Sequence, residues 1–96
     1  MKTTFTNDEF RNLINKDIYA AVVDDNVYDA VITNYEDADG NCCLAFLNDY
    51  DQDDNYIFPW DEIKSITYSE MFRTFTIIAV DDYPYQVRLL TSYVPC

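Results

Sequence analysis

The sequence EDADGN at residues 36–41 separates two apolar runs, Val27–Tyr35 and Cys42–Leu47. Its Gly40 is the single glycine of the chain. Glycine takes most readily the positive φ that a tight hairpin turn requires. Runs of this length, bounded by turn residues, are typical of β-strands. The stretch therefore predicts a β-hairpin and an antiparallel arrangement of the strands around it.

Short apolar runs and acidic turns continue on both sides of this hairpin. Upstream, Ile18–Val23 predicts a strand that ends in an Asp-Asp-Asn turn at residues 24–26. Downstream, Thr74–Val80 and Tyr85–Leu90 predict a last hairpin, and its second arm alternates between apolar and polar residues. With Tyr56–Phe58 added, we count about six strands.

A helical pattern occurs before residue 17 and nowhere else. Thr6 and Glu9 have the spacing of a capping box, in which each side chain accepts a hydrogen bond from the backbone N–H of the other residue. Three apolar residues follow at helical spacing: Phe10, Leu13 and Ile14. We therefore expect one short N-terminal helix that ends near Lys16.

The segment from Tyr28 to Tyr68 resembles the small Sm-like barrels. Two strands joined by a tight turn lead to a loop and a short strand, followed by PWDEIKSI at residues 59–66. Such barrels often carry a short turn and a spaced pair of isoleucines there, after an N-terminal helix. The resemblance implies a compact barrel or a curled sheet. Pro59 also either ends the pairing of its strand or confines the strand to a sheet edge.

We therefore predict one domain, residues 1–96, of the mainly β (α+β) class. It is an antiparallel sheet or a small Sm-like barrel of about six strands with one short N-terminal helix. At 96 residues the chain is too short to build a second core. The residues expected in the core hold the apolar positions of their strands: Ile32, Leu44, Phe46, Ile63, Ile66, Phe75, Ile77, Val87 and Leu89.

Composition excludes most catalytic chemistry. The chain has no histidine, so neither a Ser-His-Asp triad nor a Cys-His pair can form. A single glycine cannot build a phosphate-binding loop of the Walker or dinucleotide type. We expect no enzymatic activity and no cofactor. Of the three cysteines, Cys42 and Cys43 are expected to be small apolar residues of a strand.

A calcium loop needs separate consideration. Asp51, Asp53, Asn55 and Glu62 have the first, third, fifth and twelfth positions of an EF-hand loop. However, Tyr56 stands where that loop requires glycine, and the flanking segments predict strands rather than helices. We therefore expect weak divalent binding at most, and no dedicated metal site.

Charge is the strongest functional signal. Eighteen Asp and Glu oppose six Lys and Arg, a net charge of -12, and the chain also has nine tyrosines. The acids gather between the predicted strands, where Asp24-Asp25 is expected to approach the loop 49–54. Tyrosine interleaved with aspartate suits a recognition surface, because carboxylates accept bidentate hydrogen bonds from arginine. The predicted partner-binding residues are Asp24, Asp25, Asp49, Tyr50, Asp51, Asp53, Asp54, Tyr56, Asp61 and Glu62.

In size, charge, aspartate bias and tyrosine content the chain resembles the phage-encoded DNA mimics, the small acidic anti-restriction, anti-CRISPR and repair-inhibitor proteins. The resemblance implies a non-catalytic inhibitor that competes for the nucleic-acid site of a basic protein, such as a host defence nuclease, without itself binding nucleic acid. The alternative is an acidic protein–protein interaction module, such as an immunity or assembly protein. Acidic loops also protect small β proteins from aggregation.

Location follows from the absence of targeting signals. Residues Met1–Phe5 lack an apolar signal-peptide core, and no run approaches the ~18 apolar residues of a membrane span. We therefore expect the protein to act in the cytoplasm of a bacterial host cell, without membrane contact.

Overall fold

A computed structural model describes the backbone of residues 3–48 and 54–91, and their side chains except those of residues 16–19 and 91. These residues form one α-helix, nine β-strands and a 3₁₀ turn. In chain order they are β1 (Thr4–Phe5), α1 (Asn7–Asp17), β2 (Ile18–Val23), β3 (Asn26–Tyr28), β4 (Ala30–Glu36), β5 (Cys42–Leu47), β6 (Tyr56–Pro59), the 3₁₀ turn (Trp60–Glu62), β7 (Ser65–Ser69), β8 (Thr74–Ile78) and β9 (Pro84–Thr91).

The capping box at the start of α1 is confirmed. The Thr6 N–H donates to Glu9 Oε1 at 3.0 Å, and the Glu9 N–H donates to Thr6 Oγ1 at 3.1 Å. Phe10 and Ile14, four residues apart, are buried, whereas Leu13 is 37% exposed. Leu13 belongs to the apolar face expected from the sequence but lies at its exposed margin. At 100° per residue it lies on the flank of the stripe that Phe10 and Ile14 define.

Two antiparallel sheets make up the fold. The large sheet has the strand order β1-β7-β8-β9-β2-β3, and the small sheet has the order β4-β5-β6. The predicted mainly β class with antiparallel pairing and one N-terminal helix is confirmed. The Sm-like barrel is not, because the described strands form two separate sheets instead of one closed sheet.

The chain crosses between the sheets at Asp29. A continuous strand from Val27 to Tyr35 was expected, but β3 ends at Tyr28 and β4 begins at Ala30. Tyr28 pairs with Ala21 in the large sheet, and its side chain is fully buried. The prediction of one strand is therefore wrong, because the break at Asp29 sends the two halves of the run into different sheets.

A register shift in β4 changes which residue enters the core. Ile32 was expected to be buried, but it is only partly buried, and Thr33 is buried instead. The pairing of β4 with β5 shifts between Ile32 and Tyr35, which breaks the alternation of faces. The buried Thr33 hydroxyl donates to Asn15 Oδ1 at 2.9 Å, and the Trp60 indole N–H donates to the Thr33 carbonyl at 2.7 Å.

The remaining core predictions are confirmed with one exception, Leu89, which is only partly buried. The core also includes residues from the helix, the edge strand β3 and the 3₁₀ turn. Its members are Phe10, Ile14, Ala21, Val23, Tyr28, Leu44, Phe46, Phe58, Trp60, Ile63, Ile66, Phe75, Ile77, Ala79 and Val87. Truncating one of its large side chains to alanine would cost about 2–5 kcal/mol.

Two turn predictions are also confirmed. Gly40 in the loop between β4 and β5 has φ +84°, the conformation that glycine permits. Pro59 ends β6, which is an edge strand of the small sheet, as expected for a residue without an N–H to donate. The hairpin loop leads from β4 into one end of β5, and the acidic stretch of sequence before β6 follows its other end.

Candidate partner-binding surface

Four tyrosine rings form a continuous cluster where the two sheets meet. Tyr56 at the start of β6 contacts Tyr28 of β3 and Tyr85 of β9, with ring centroids 5.4 and 5.5 Å apart. Tyr83, in the turn before β9, contacts Tyr85 at 4.6 Å. We refer to these four residues as the tyrosine cluster. It connects the small sheet, through β6, to two strands of the large sheet.

Two hydroxyls of the cluster donate hydrogen bonds to aspartates. Tyr28 Oη donates to Asp54 Oδ1 at 2.9 Å, and Tyr85 Oη donates to Asp81 Oδ2 at 2.6 Å. Two causes raise the pKa of the Tyr28 phenol far above 10.0: burial, which is the larger, and the hydrogen bond to Asp54. The bond to Asp81 and burial raise the pKa of Tyr85 to about 12. Both phenols keep their protons at neutral pH and hold the two carboxylates in place.

Asp24 contributes a third carboxylate, from the turn between β2 and β3. Its N–H donates to the Gln86 carbonyl at 2.9 Å, and its Oδ1 accepts from the Gln86 N–H at 2.9 Å. The turn is thereby tied to β9. A hydrogen bond from Tyr83 to Asp24, and the negative charge of Asp24, raise the pKa of Tyr83. Carboxylates from three separate turns therefore surround the tyrosine cluster.

The turns that carry these carboxylates have backbone conformations that disfavour most side chains. Asp24 and Asp25 have φ values of 48° and 71°, and Val23 pairs with Asn26 across them. This is the geometry of a two-residue type I′ hairpin, which favours Asn-Gly or Asp-Gly. Asp82, in the turn before β9, has φ 60°. The chain places aspartate at these positions and keeps its one glycine for the loop between β4 and β5.

The predicted partner-binding residues fall into separate places. Asp24, Asp54 and Tyr56 belong to the tyrosine cluster or its carboxylates. Asp25 is exposed and lines a groove on the outward side of the large sheet, away from the core. Asp24 and Asp54 lie at different tyrosines of the cluster, Asp24 at Tyr83 and Asp54 at Tyr28, and the rest of the loop that the Asp24-Asp25 turn was expected to approach lies outside the described residues.

The other predicted partner-binding residues lie away from the tyrosine cluster or outside the described residues. Asp61 and Glu62 are exposed in the 3₁₀ turn, beyond the opposite end of β6 from Tyr56. Four further predicted residues lie outside the described residues: Asp49, Tyr50, Asp51 and Asp53.

Asp61 and Glu62 help to form a second acidic region beside the hairpin loop. An open groove of about 370 Å³ separates them from that loop. We refer to it as the loop groove. Its lining residues are Asp37, Asp39, Asn41, Pro59, Asp61 and Glu62. The acidic character of this groove therefore comes from two elements that are distant in sequence.

One carboxylate of the loop groove is used by its own loop. Asp37 Oδ1 accepts from the N–H groups of Asn41 at 2.8 Å and Asp39 at 2.9 Å, and Oδ2 accepts from Asn41 Nδ2 at 3.2 Å. The bond from the Asn41 N–H is the largest cause that lowers the pKa of Asp37. This carboxylate therefore organises the hairpin loop, and its acceptor positions are largely occupied.

The arrangement of the EF-hand-like positions differs from that of a calcium loop. Asn55 precedes β6 and its Oδ1 accepts from the Asn48 N–H at 2.9 Å, while Glu62 follows β6 in the 3₁₀ turn. An extended strand between these two positions separates them, whereas an EF-hand loop wraps them around one ion. In the described part of the chain, no three Asp, Glu or Cys residues are grouped closely enough to hold a metal ion.

Sequence patterns missed four residues of this surface: Tyr28, Asp81, Tyr83 and Tyr85. The approach of Tyr83 to Asp24 depends on the pairing of β9 with β2, which brings the turn at residues 81–83 beside Asp24. The Asp-Asp-Tyr sequence of that turn was a usable signal, since it repeats the combination of aspartate and tyrosine found before β6.

No helix in the described ranges is long and apolar enough to cross a membrane. Comparison of the chain with protein-family models, with curated proteins and with solved structures found no match.

Proposed function

We propose that the chain is a non-catalytic inhibitor that binds a basic nucleic-acid-binding protein and occupies its nucleic-acid site. The observation that carries the proposal is the tyrosine cluster, in which the hydroxyls of Tyr28 and Tyr85 bond to Asp54 and Asp81, with Asp24 as a third carboxylate near Tyr83. In a chain of net charge -12, this arrangement combines negative charge with aromatic contact area at one place.

The chemistry of this surface suits arginine and lysine side chains. Asp54 accepts from the Tyr28 hydroxyl on Oδ1 and keeps acceptor capacity on Oδ2, so a partner cation can bind it without displacing the phenol. Asp81 accepts on both oxygens, from the Tyr85 hydroxyl and from the Tyr83 N–H. Tyr83 is 50% exposed and offers a ring face beside Asp24, where a guanidinium can stack. Such sites anchor protein interfaces, in which tyrosine and arginine are enriched.

Nucleic acid is the ligand that the surface would replace. Duplex DNA carries about one negative charge per ~1.7 Å of its axis, and its binding proteins present complementary rows of lysine and arginine. Carboxylates held on separate turns of a folded domain can engage several of those cations together. The predicted residues Asp49, Tyr50, Asp51 and Asp53 remain part of this proposal on the basis of sequence. We place the activity in the cytoplasm of a bacterial host cell.

The experiment begins with capture of the partner. The chain is immobilised, exposed to bacterial lysate and eluted with a salt gradient. Binding should weaken steeply with salt, because exposed charges are screened over a Debye length of ~10 Å at 0.1 M. The captured protein is then titrated with its own nucleic acid in the presence of the chain. Mutual exclusion is the expected result.

Matched variants separate this surface from general negative charge. The variant Asp24→Asn/Asp54→Asn/Asp81→Asn keeps the acceptor oxygens but removes three charges around the tyrosine cluster. It should weaken binding at least about tenfold, since close interfacial charge pairs couple by ~1.5 kcal/mol or more. The control removes three charges at the loop groove: Asp39→Asn/Asp61→Asn/Glu62→Gln. Equal losses in both variants would contradict the assignment of binding to the tyrosine cluster.

The alternative function, an acidic interaction module without mimicry, predicts a different competition result. The exposed ring of Tyr83 would serve it equally well, because tyrosine also anchors ordinary protein interfaces. A partner that binds the chain and nucleic acid simultaneously, or that binds no nucleic acid, would support the module and exclude mimicry.

A further inference from the structure

The turn between β7 and β8 exposes two large apolar side chains. Met71 is 84% exposed and Phe72 is 71% exposed, more than any other large apolar residue of the described ranges. Phe72 borders an open groove of about 240 Å³ on the outward side of the large sheet. The lining residues of this groove are Val22, Asp25, Phe72, Thr74, Gln86 and Arg88.

This side of the sheet differs in charge from the rest of the molecule. Cross-strand partners share a face, so Thr67, Thr76 and Gln86 form one outward row. Arg88 and Val22 belong to the next row. The outward positions of β7, β8 and β9 include no carboxylate. We refer to this surface as the outer face.

The positive charges of the described residues also concentrate here. Two of the four described Lys and Arg side chains have carboxylate partners: Arg11 with Asp8 at 3.4 Å and Lys64 with Asp82 at 2.7 Å. The other two, Arg73 beside Phe72 and Arg88 in the groove, form no ion pair with any described residue. In a chain with three times as many acids as bases, both unpaired arginines flank the same exposed phenylalanine.

Two exposed acids complete the patch. Asp25 lines the groove together with Arg88, and Glu70 precedes the exposed Met71 in the turn. The patch therefore contains both signs of charge around an apolar centre. In a two-fold symmetric contact the same patch meets itself, so that an acid of one copy can face an arginine of the other.

We propose that a second copy of this chain docks on the outer face. Phe72 of each copy enters the groove of the other, and Asp25 of each copy faces Arg88 of the other. Approach through other surfaces brings carboxylates together, and the net charge of -12 on each chain then opposes association. The inference does not rest on the proposed function, because Phe72 and Arg88 lie outside the tyrosine cluster. The two regions adjoin at Asp25 and Gln86, the chain neighbour and the hydrogen-bond partner of Asp24.

Salt should act on this dimer in the direction opposite to its effect on a basic partner. Two chains of charge -12 repel each other at long range, and salt screens that repulsion. The exposed Asp25–Arg88 contacts contribute little to be lost, because exposed ion pairs are weak. We therefore expect dimerisation to strengthen as NaCl is raised. Weakening with salt would contradict an apolar contact through Phe72.

Sedimentation velocity of the purified chain from about 1 µM to about 1 mM tests the proposal in the range of weak self-association. We expect a concentration-dependent dimer, which Phe72→Asp shifts to monomer. The matched control is Val80→Asp, at a residue 58% exposed in a different turn, which should leave the dimer unchanged. Circular dichroism confirms that each variant is folded. A wild-type monomer throughout the range, or equal dissociation by both variants, would overturn the proposal.

A charge exchange tests the symmetry. Arg88→Glu and Asp25→Arg should each weaken the dimer, because each places like charges opposite one another. The double variant restores opposite charges across the two-fold axis and should recover dimerisation. If the double variant dissociates more than either single variant, the two residues do not face each other and the docking geometry is wrong.

Discussion

The tyrosine cluster and the loop groove are both acidic, yet their carboxylates have different partners. Around the cluster, Asp54 accepts from the hydroxyl of Tyr28, 26 residues earlier, and Asp24 accepts from the N–H of Gln86, 62 residues later. At the loop groove, Asp37 accepts from backbone N–H groups of its own loop, within four residues. The number of acids is similar, but long-range contacts position Asp54 and Asp24, whereas Asp37 has local partners, as does Asp81 through Tyr85.

This difference teaches which carboxylates can form a recognition surface. A carboxylate that closes its own turn has little acceptor capacity left, and its position depends on that turn alone. A carboxylate held by a tyrosine from a distant strand is fixed relative to the whole fold, which lowers the entropy lost when a partner binds. The comparison can be tested by removing the two kinds of hydrogen bond separately.

The largest effect on stability should come from Tyr28→Phe. The hydroxyl of this fully buried tyrosine donates to Asp54 at 2.9 Å, and hydrogen bonds to charged groups contribute about 1.5–3 kcal/mol. The control is Tyr68→Phe, whose hydroxyl bonds to no described residue; it should change stability by less than about 0.5 kcal/mol. Equal effects in urea unfolding would show that the Tyr28–Asp54 bond does not support the cluster.

We expect Asp25→Gly to raise the free energy of unfolding by about 1 kcal/mol. Asp25 has φ 71° in a type I′ turn, and the variant creates the favoured Asp-Gly sequence. Asp39→Gly in the other region should be neutral or destabilising, since Asp39 is not among the residues with positive φ. The midpoint of thermal unfolding measures both. A lower midpoint for Asp25→Gly would show that its side chain supports the turn.

A smaller loss of stability is expected from Asp37→Ala, because water can replace the exposed hydrogen bonds of the hairpin loop. The effect should depend on pH. The folded pKa of Asp37 lies below its ordinary value of 3.8, so its contribution is present above pH 3.8 and is lost as the pH falls through the folded pKa. Thermal unfolding at pH 7 and pH 2 measures this: wild type and variant should differ at pH 7 and converge at pH 2. A constant difference would exclude ionised Asp37 as the cause.

Much of the local structure behind this comparison was predictable from the sequence. The capping box of Thr6 and Glu9, the Gly40 turn and the edge position of Pro59 each depend on residues a few positions apart. The pairing of β9 with β2 is different, because it joins residues more than sixty positions apart. That pairing brings Tyr83 to Asp24, so the tyrosine cluster could not be assembled from spacing alone.

Where the burial or the bounds of a single strand differ from the prediction, the difference also has a specific structural cause. The period of two predicted Ile32 as a core residue, but the register shift in β4 is accompanied by burial of Thr33 instead. The break at Asp29 likewise arises because the two halves of one predicted strand pair in different sheets. A one-residue shift moves every later side chain to the other face, and sequence alone does not mark the shift.

The smallest change in stability at neutral pH is expected from Asp81→Asn, although its effect on alkaline titration is large. The asparagine carbonyl can still accept from Tyr85, so the hydrogen bond persists while the charge is lost. Because that bond and charge raise the pKa of Tyr85 to about 12, the variant should move this pKa back towards 10.0. Ultraviolet absorbance of phenolate measures the shift. The control is Asp39→Asn, at the loop groove, which should leave the tyrosine titration unchanged.

The same pKa shift makes wild-type stability depend on alkaline pH. The folded state holds the Tyr85 proton more tightly than the unfolded state, so the contribution is complete below pH 10.0 and is lost as the pH rises towards 12. Asp81→Asn should flatten this decline relative to wild type, whereas Asp39→Asn should preserve it. Unfolding in urea at a series of pH values between 8 and 12 measures the slopes. If the two variants decline alike, the charge of Asp81 does not cause the raised pKa of Tyr85, and the alkaline loss of stability has another origin.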